Sequence, residues 1–191
     1  MSPLYLQLEP GRVYRTEDFA RWSANAPRFA KRLVRAGQLV QLRHGLFAGP
    51  KQSRFGSVPP TDEELMRAFL RGGPFVFTGP ERWNALGLGA TAVFSAPLIY
   101  NTKRSGEVEL GGRRFLLRRV AFPPDPTPEW FAVDLLENVE RAGVSAETVA
   151  SSLASAAARG EFDVQRLLAM ANEYATERTR SLLARKLQPS P

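Results

Sequence analysis

The sequence predicts an α+β chain with an N-terminal domain over residues 1–56 and a mixed α/β domain over 57–191 that ends in a helical segment. Charge divides the chain: residues 1–56 hold ten Lys and Arg against three Asp and Glu, whereas 57–191 hold sixteen of each. Short alternating apolar segments and helical segments intermix as far as residue 122, and the pattern beyond residue 128 is helical. With 43% hydrophobic residues, the composition is that of a chain with a true core.

The first elements lie between residues 12 and 37. Residues 12–15 alternate like a short strand. Thr16, followed by two acidic residues, is typical of a helix N-cap and predicts a short helix over 17–22. A turn follows, and Pro27 fits the first turn of a second helix over 26–36, which Gly37 ends.

The second helix has two faces. Phe29, Ala30, Leu33 and Val34 lie on its apolar face, which can pack on Phe19 and Trp22. The opposite arc, about 100° wide at helical spacing, carries only cations. These are Arg28, Lys31, Arg32 and Arg35.

A tight hairpin follows, with strands over 38–43 and 46–48 and a His44–Gly45 turn. Short helix, turn, basic helix and hairpin is the order of a winged helix-turn-helix, whose recognition helix enters the DNA major groove, about 12 Å wide. The alternative is a solvated helix face in a small structural domain. The predicted DNA-binding residues are Ser23, Asn25, Arg28, Lys31, Arg32, Arg35, Arg43 and His44.

The neutral body begins after a linker predicted over 51–60. A helix over 62–71 capped by Thr61, a strand over 75–77 and a helix over 81–86 follow. Next come an edge or bulged strand over 92–100 with Pro97 inside it, and a hairpin over 107–110 and 113–122. The hairpin arginines either extend a nucleic-acid surface or form a solvated face paired with Glu107 and Glu109. They are Arg113, Arg114, Arg118 and Arg119.

The C-terminal part predicts three helices, over 129–141, 146–159 and 163–187. The third carries an apolar stripe that continues into Leu182, Leu183 and Leu187. Such a stripe is core along most of its length. Its final third is either core or a surface for a partner or a second copy.

Several kinds of chemistry lack support in the sequence. Cysteine is absent, which excludes disulfides, thiolate zinc sites and a cysteine nucleophile. The single histidine, His44, has no partner for metal binding or general base catalysis. We therefore predict no catalytic residue, no metal site, no cofactor and no enzyme activity. The N-terminus does not read as a signal peptide, and no run of about 18 apolar residues occurs, so a cytoplasmic, non-membrane protein is expected.

The sequence resembles the AbiEi-type antitoxins of bacterial toxin–antitoxin systems. The similar segments in the first domain are residues 13–16 with Asp18 and Phe19, then 32–39 and 42–48; in the second they are 85–88, 100–103 and the helices after Asp163. The resemblance implies a winged domain that binds repeats in its own promoter as a repressor, and a second domain that counters a cognate nucleotidyltransferase toxin. Binding to a two-fold operator would take a homodimer or paired monomers.

Two other functions remain open at this point. An RNA-binding or nuclease-like enzyme would use the basic segment to hold its substrate and would need acids brought together by the fold. A pure protein-interaction module would use the C-terminal helices, and its basic segment would serve solubility.

Overall fold

The chain is mixed α+β, and the computed structural model describes residues 8–187. It divides into two compact units. The first takes the chain up to Phe75 together with Glu107–Phe115, and the second takes Val76–Gly106 and the residues from Leu116 on. The predicted domain boundary after Gly56 stays a prediction; Gly56 itself begins a strand of the first unit.

The first unit contains strands, two α-helices and a 3₁₀ helix. In chain order these are β1 (Val13–Arg15), the 3₁₀ helix (Thr16–Arg21), α1 (Ala26–Arg35), β2 (Val40–Arg43), β3 (Leu46–Ala48), β4 (Lys51–Ser53), β5 (Gly56–Val58) and α2 (Asp62–Phe69). Strands β1, β3 and β2 form an antiparallel sheet in that order, with Tyr14 opposite Phe47. β4 pairs only with β5 among the described strands.

Local capping explains where these helices begin. Asn25 precedes α1 and its side chain accepts the Arg28 N–H, while Thr61 and Glu64 form a reciprocal capping box at α2. The prediction that Thr16 caps the first helix is wrong. Thr16 lies inside a 3₁₀ turn, and the Asp18 carboxylate accepts the N–H of Arg15 at 2.7 Å instead.

Phe19 stands at the centre of the first core. Its ring centroid lies 5.8 Å from those of Tyr14 and Phe47, 6.0 Å from Trp22 and 6.2 Å from Phe29. The 3₁₀ helix, α1 and the sheet thus share one aromatic cluster, as the apolar face of the second predicted helix required. Packing of this kind fixes which face of α1 is left to solvent.

The linker predicted over residues 51–60 is wrong in part, because the structure forms the β4–β5 hairpin there. Lys51 pairs with Val58 and Ser53 with Gly56. Gly56 takes a φ of +112°, a conformation that a residue with a Cβ rarely adopts, and so permits the two-residue turn. The Gly, Ser and Pro content of the segment marked a turn rather than an unstructured linker.

The second unit joins strands to a helical layer. Its elements are β6 (Phe75–Thr78, from Val76 on), α3 (Pro80–Ala85), β7 (Leu98–Asn101), the end of β9 (Arg113–Arg119), α4 (Pro128–Glu137), α5 (Val139–Ala142), α6 (Ala146–Ala158), α7 (Val164–Tyr174) and α8 (Glu177–Leu187). β7 lies between β6 and β9 and runs parallel to β9, with Ile99 opposite Leu117. β8 (Gly106–Leu110) pairs with β9, and most of that hairpin counts with the first unit.

Two predicted strands are shorter than expected. The strand predicted over 92–100 forms only at β7, after Pro97, since proline offers no N–H to a ladder. The Asn84 side-chain amide donates a hydrogen bond to the Ala92 carbonyl, at 2.9 Å. The strand predicted to reach residue 122 ends at Arg119.

Two predicted helices are each broken in two by side-chain hydrogen bonds. Asn138 ends α4, and its side-chain amide donates to the Asp134 carbonyl at 2.8 Å. The predicted helix over 163–187 is interrupted between α7 and α8, where Ala175 is extended. There the Glu137 carboxylate accepts the N–H and the hydroxyl of Thr176, at 3.1 and 2.9 Å.

The second core contains the apolar residues of the C-terminal helices. Leu167 and Ala171 of α7 and Leu182 and Leu183 of α8 are all buried in it, with Leu187 packed at its edge. Leu182 and Leu183 are therefore core, and the alternative that the final third of the predicted stripe forms a partner surface is wrong for these two leucines.

Candidate nucleic-acid interface

Helix α1 holds four cations on one exposed face. Ala26, Ala30 and Leu33 are buried on its other side, so its rotation about its axis is fixed by the core. Arg28, Lys31, Arg32 and Arg35 are all exposed. The packing of α1 thus confirms the two-faced helix that the residue spacing predicted.

These cations line a shared open groove of about 490 Å³. Its lining residues are Ser23, Asn25, Arg28, Phe29, Lys31, Arg32 and Arg35. Six of the eight predicted DNA-binding residues therefore come together at the N-terminal end and outer face of one helix. Phe29 was expected on the apolar face only, and it forms part of the groove wall as well as packing on Phe19.

The positive charge of this groove is not neutralised within the part of the chain that the structure describes. Between residues 8 and 187, none of the four α1 cations forms an ion pair. By contrast, Arg15 of the same unit pairs with Glu17 at 2.6 Å. The Arg32 guanidinium lies 5.0 Å from the centroid of the Phe29 ring, which holds it against the groove wall.

The side chains of Ser23 and Asn25 form hydrogen bonds at the start of α1. The Asn25 side-chain oxygen accepts the Arg28 N–H at 3.1 Å, and the Ser23 hydroxyl oxygen accepts the Asn25 N–H at 3.2 Å. Both polar atoms serve the helix start, where unsatisfied N–H groups are also favourable to anions.

Arg43 and His44 lie apart from the groove lining, at the β2–β3 turn. Both are exposed, and the Arg43 guanidinium lies 5.6 Å from the Phe69 ring centroid. Gly45 completes the turn with a φ of +75°, and its carbonyl accepts the Thr16 N–H at 3.1 Å. The turn is therefore held to the start of the 3₁₀ helix.

The four hairpin arginines have different environments. Arg113 forms an ion pair with Asp62 at 2.5 Å and donates to the Pro60 carbonyl, instead of pairing with Glu107 or Glu109. Arg118 donates to the Asn138 side-chain oxygen at 3.0 Å. Arg114 and Arg119 are exposed. Only the latter two are open surface cations.

The second unit contains a buried polar cluster that the sequence prediction missed. Asp134, within the apolar face of α4, accepts hydrogen bonds at one oxygen from Thr78 and, at 2.8 Å, from the Trp83 indole. Its other oxygen accepts from the Tyr100 hydroxyl at 2.7 Å and the Asn138 amide at 3.0 Å. A single acid inside the apolar run 130–136 was the signal that could have revealed it.

Burial sets the ionisation of this cluster. It raises the pKa of the Asp134 carboxyl above its ordinary value, although the hydrogen bonds from Thr78, Tyr100 and Trp83 act in the opposite direction. Burial, and then the charge of Asp134, raise the pKa of the Tyr100 hydroxyl. A small cavity of about 130 Å³ adjoins the cluster and is lined in part by Arg118, Glu137 and Tyr174.

The β4–β5 hairpin was also missed, and it adds cations to the first unit. Lys51 and Arg54 are exposed there, together with Phe55. The local turn signal was the pair Arg54–Phe55, which lies between Ser53 and Gly56.

No known family model and no curated protein matches this chain. Among residues 8–187, no cluster of three or more His, Asp or Glu is arranged to hold a metal ion. Nor does that part of the chain contain a helix that is both long and apolar enough to cross a bilayer.

Proposed function

We propose that this chain is a cytoplasmic DNA-binding autorepressor and antitoxin of the AbiEi type. Its DNA-binding domain is a winged helix-turn-helix in which α1 is the recognition helix and the β2–β3 turn is the wing. Its DNA target is its own promoter. It carries no enzyme activity, and its second domain counters a nucleotidyltransferase toxin.

The observation that supports this proposal most strongly is the open groove on α1. Four cations without an ion pair in the described chain share one helix face, and no acidic residue interrupts them. A duplex offers a matching row of phosphates, and arginine side chains form paired hydrogen bonds with phosphate or guanine edges. The N-terminus of α1, where N–H groups favour anions, lies beside Ser23 and Asn25, which line the same groove.

The toxin and the oligomeric state in this proposal come from the resemblance to AbiEi-type antitoxins. The segments similar to AbiEi-type antitoxins extend into the second unit, which is where the proposal places toxin neutralisation. A homodimer, or two monomers on adjacent repeats, would match promoter repeats.

Fluorescence anisotropy across a salt series tests DNA binding. The targets are the duplex upstream of the gene, a scrambled duplex of equal composition and a single-stranded RNA. We expect tightest binding to the upstream duplex, with log affinity falling steeply against log salt because several phosphates are neutralised together.

Equal, weak binding to all three nucleic acids would contradict a repressor. Preference for RNA would favour the RNA-binding alternative. Co-purification with the product of a neighbouring nucleotidyltransferase gene tests the antitoxin part separately, because it does not depend on DNA.

A further inference from the structure

The β4–β5 hairpin ends in an exposed tip whose turn is pre-formed. Phe55 is 86% exposed at this tip. The Ser53 hydroxyl oxygen accepts the Phe55 N–H at 3.2 Å, and the hydroxyl donates to the Gly56 carbonyl at 3.1 Å. The turn is thus held by its own hydrogen bonds, and its side chains are presented without support from a core.

The tip is positively charged. Residues 51–60 contain Lys51 and Arg54 and no acidic residue. In the described chain neither cation forms an ion pair. The Arg54 guanidinium lies 4.8 Å from the centroid of the Phe55 ring, so a cation and an aromatic face project together.

A partner for this pair must offer negative charge and flat apolar surface side by side. The DNA minor groove offers both, because its negative potential attracts arginine and its sugars and base steps accept apolar wedges such as phenylalanine. A paired ribbon with a two-residue tip is narrow enough to approach such a groove.

We propose that the Arg54–Phe55 tip is a second DNA contact, in which Arg54 enters the minor groove and Phe55 packs on sugars and opens a base step. This contact is separate from the α1 groove and from the wing turn at His44. It rests on the proposed function, since it requires that the chain bind duplex DNA.

Two substitutions distinguish what each side chain contributes to DNA binding, because they change the salt dependence of binding differently. Phe55→Ala removes apolar contact without removing charge, so we expect roughly tenfold weaker binding to the upstream duplex with an unchanged salt slope. Arg54→Ala removes one cation, so the slope should fall by about one as the affinity falls. Both residues are exposed and outside the cores, so thermal unfolding should not change.

Bending of the DNA provides a readout that general loss of charge does not move. A wedge that opens a base step kinks the duplex. Energy transfer between dyes at the two ends of the duplex should therefore show a bend with the unmodified protein. At saturating protein, Phe55→Ala should reduce that bend, and Phe55→Leu should retain part of it.

The second unit supplies matched controls. Val93 is an exposed apolar residue, 89% accessible, and Arg82 lies 5.6 Å from the Phe131 ring centroid, as Arg54 lies over Phe55. Val93→Ala and Arg82→Ala should leave affinity, salt slope and bend unchanged. If they weaken binding as much as the tip variants do, the effect is not specific to the tip and the inference fails.

Other outcomes divide the two proposals. If Arg32→Ala weakens binding while both tip variants bind and bend DNA normally, the minor-groove contact is refuted and the proposed function stands. If the unmodified protein does not prefer duplex DNA, both are refuted. If the tip variants lose only binding to single-stranded RNA or to a toxin, the tip serves that partner and the minor-groove inference is wrong.

Discussion

The Tyr100 hydroxyl donates a hydrogen bond of 2.7 Å to the Asp134 carboxylate, which joins β7 to α4 inside the second unit. Thr78 at the end of β6 and Trp83 of α3 donate to the same carboxylate. One buried acid of α4 therefore joins β6, α3 and β7, whose donor residues lie 34 to 56 positions away from it in sequence. Such a cluster is stabilising only while every donor keeps its acceptor.

Substituting Asp134 tests this role. In Asp134→Asn one carboxylate oxygen becomes an NH₂ group, which cannot accept from both pairs of donors, so a buried N–H or O–H loses its acceptor. We expect the free energy of unfolding to fall by about 3 kcal/mol. Urea unfolding followed by tryptophan fluorescence measures it. Exposed Asp125→Asn is the control, and a loss no larger than that control's would contradict the role.

The raised pKa of the same carboxyl sets the sign of a pH dependence. Burial raises its folded-state pKa above the unfolded value, so the folded protein binds more protons in the interval between the two. The part of the stability that comes from this pKa shift is then fully present below the unfolded pKa and is lost as pH rises through the folded pKa. The stability difference between the unmodified protein and Asp134→Asn should shrink with rising pH; a growing difference would reverse the assignment.

Arg32→Ala tests the α1 groove. It removes one cation from a face that lacks ion pairs in the described chain, and it leaves the buried side of the helix intact. We expect weaker binding to the upstream duplex and a salt slope lower by about one. Arg178→Ala, on the exposed surface of the second unit, is the matched control. Unchanged affinity and slope for Arg32→Ala would refute a phosphate contact at this residue.

Asn25→Ala tests the cap of α1. It removes the side-chain oxygen that accepts the Arg28 N–H, so we expect a loss of about 1 kcal/mol in the free energy of unfolding. Asn25→Asp keeps an acceptor and should recover most of that stability. Chemical denaturation of the three proteins measures the series. Equal losses for alanine and aspartate would assign Asn25 another role.

The best sequence predictions concern features set by neighbouring residues. Asn25, Pro27 and Gly37 set the ends of α1 within one residue, and the helical spacing placed its four cations on one face. Six of the eight predicted site residues share the groove for that reason.

The missed features depend on residues distant in sequence. The break before α8 depends on Glu137, which accepts from Thr176 some forty residues later. The Asp134 cluster draws donors from three other elements. Periodicity within one window cannot show such partners. The β4–β5 hairpin is different, because its turn signal was local and was read as a linker.

The first unit is made of two segments that are separate in sequence, and this constrains when it can fold during translation. Its last segment, Glu107–Phe115, supplies Arg113 for Asp62 and the Gly111 N–H for the Leu42 carbonyl. A nascent chain that has emerged only as far as Phe75 lacks these partners. About forty further residues must be synthesised before Glu107–Phe115 is available to make these contacts. The first unit, which contains the basic N-terminal segment, therefore cannot fold completely early in synthesis.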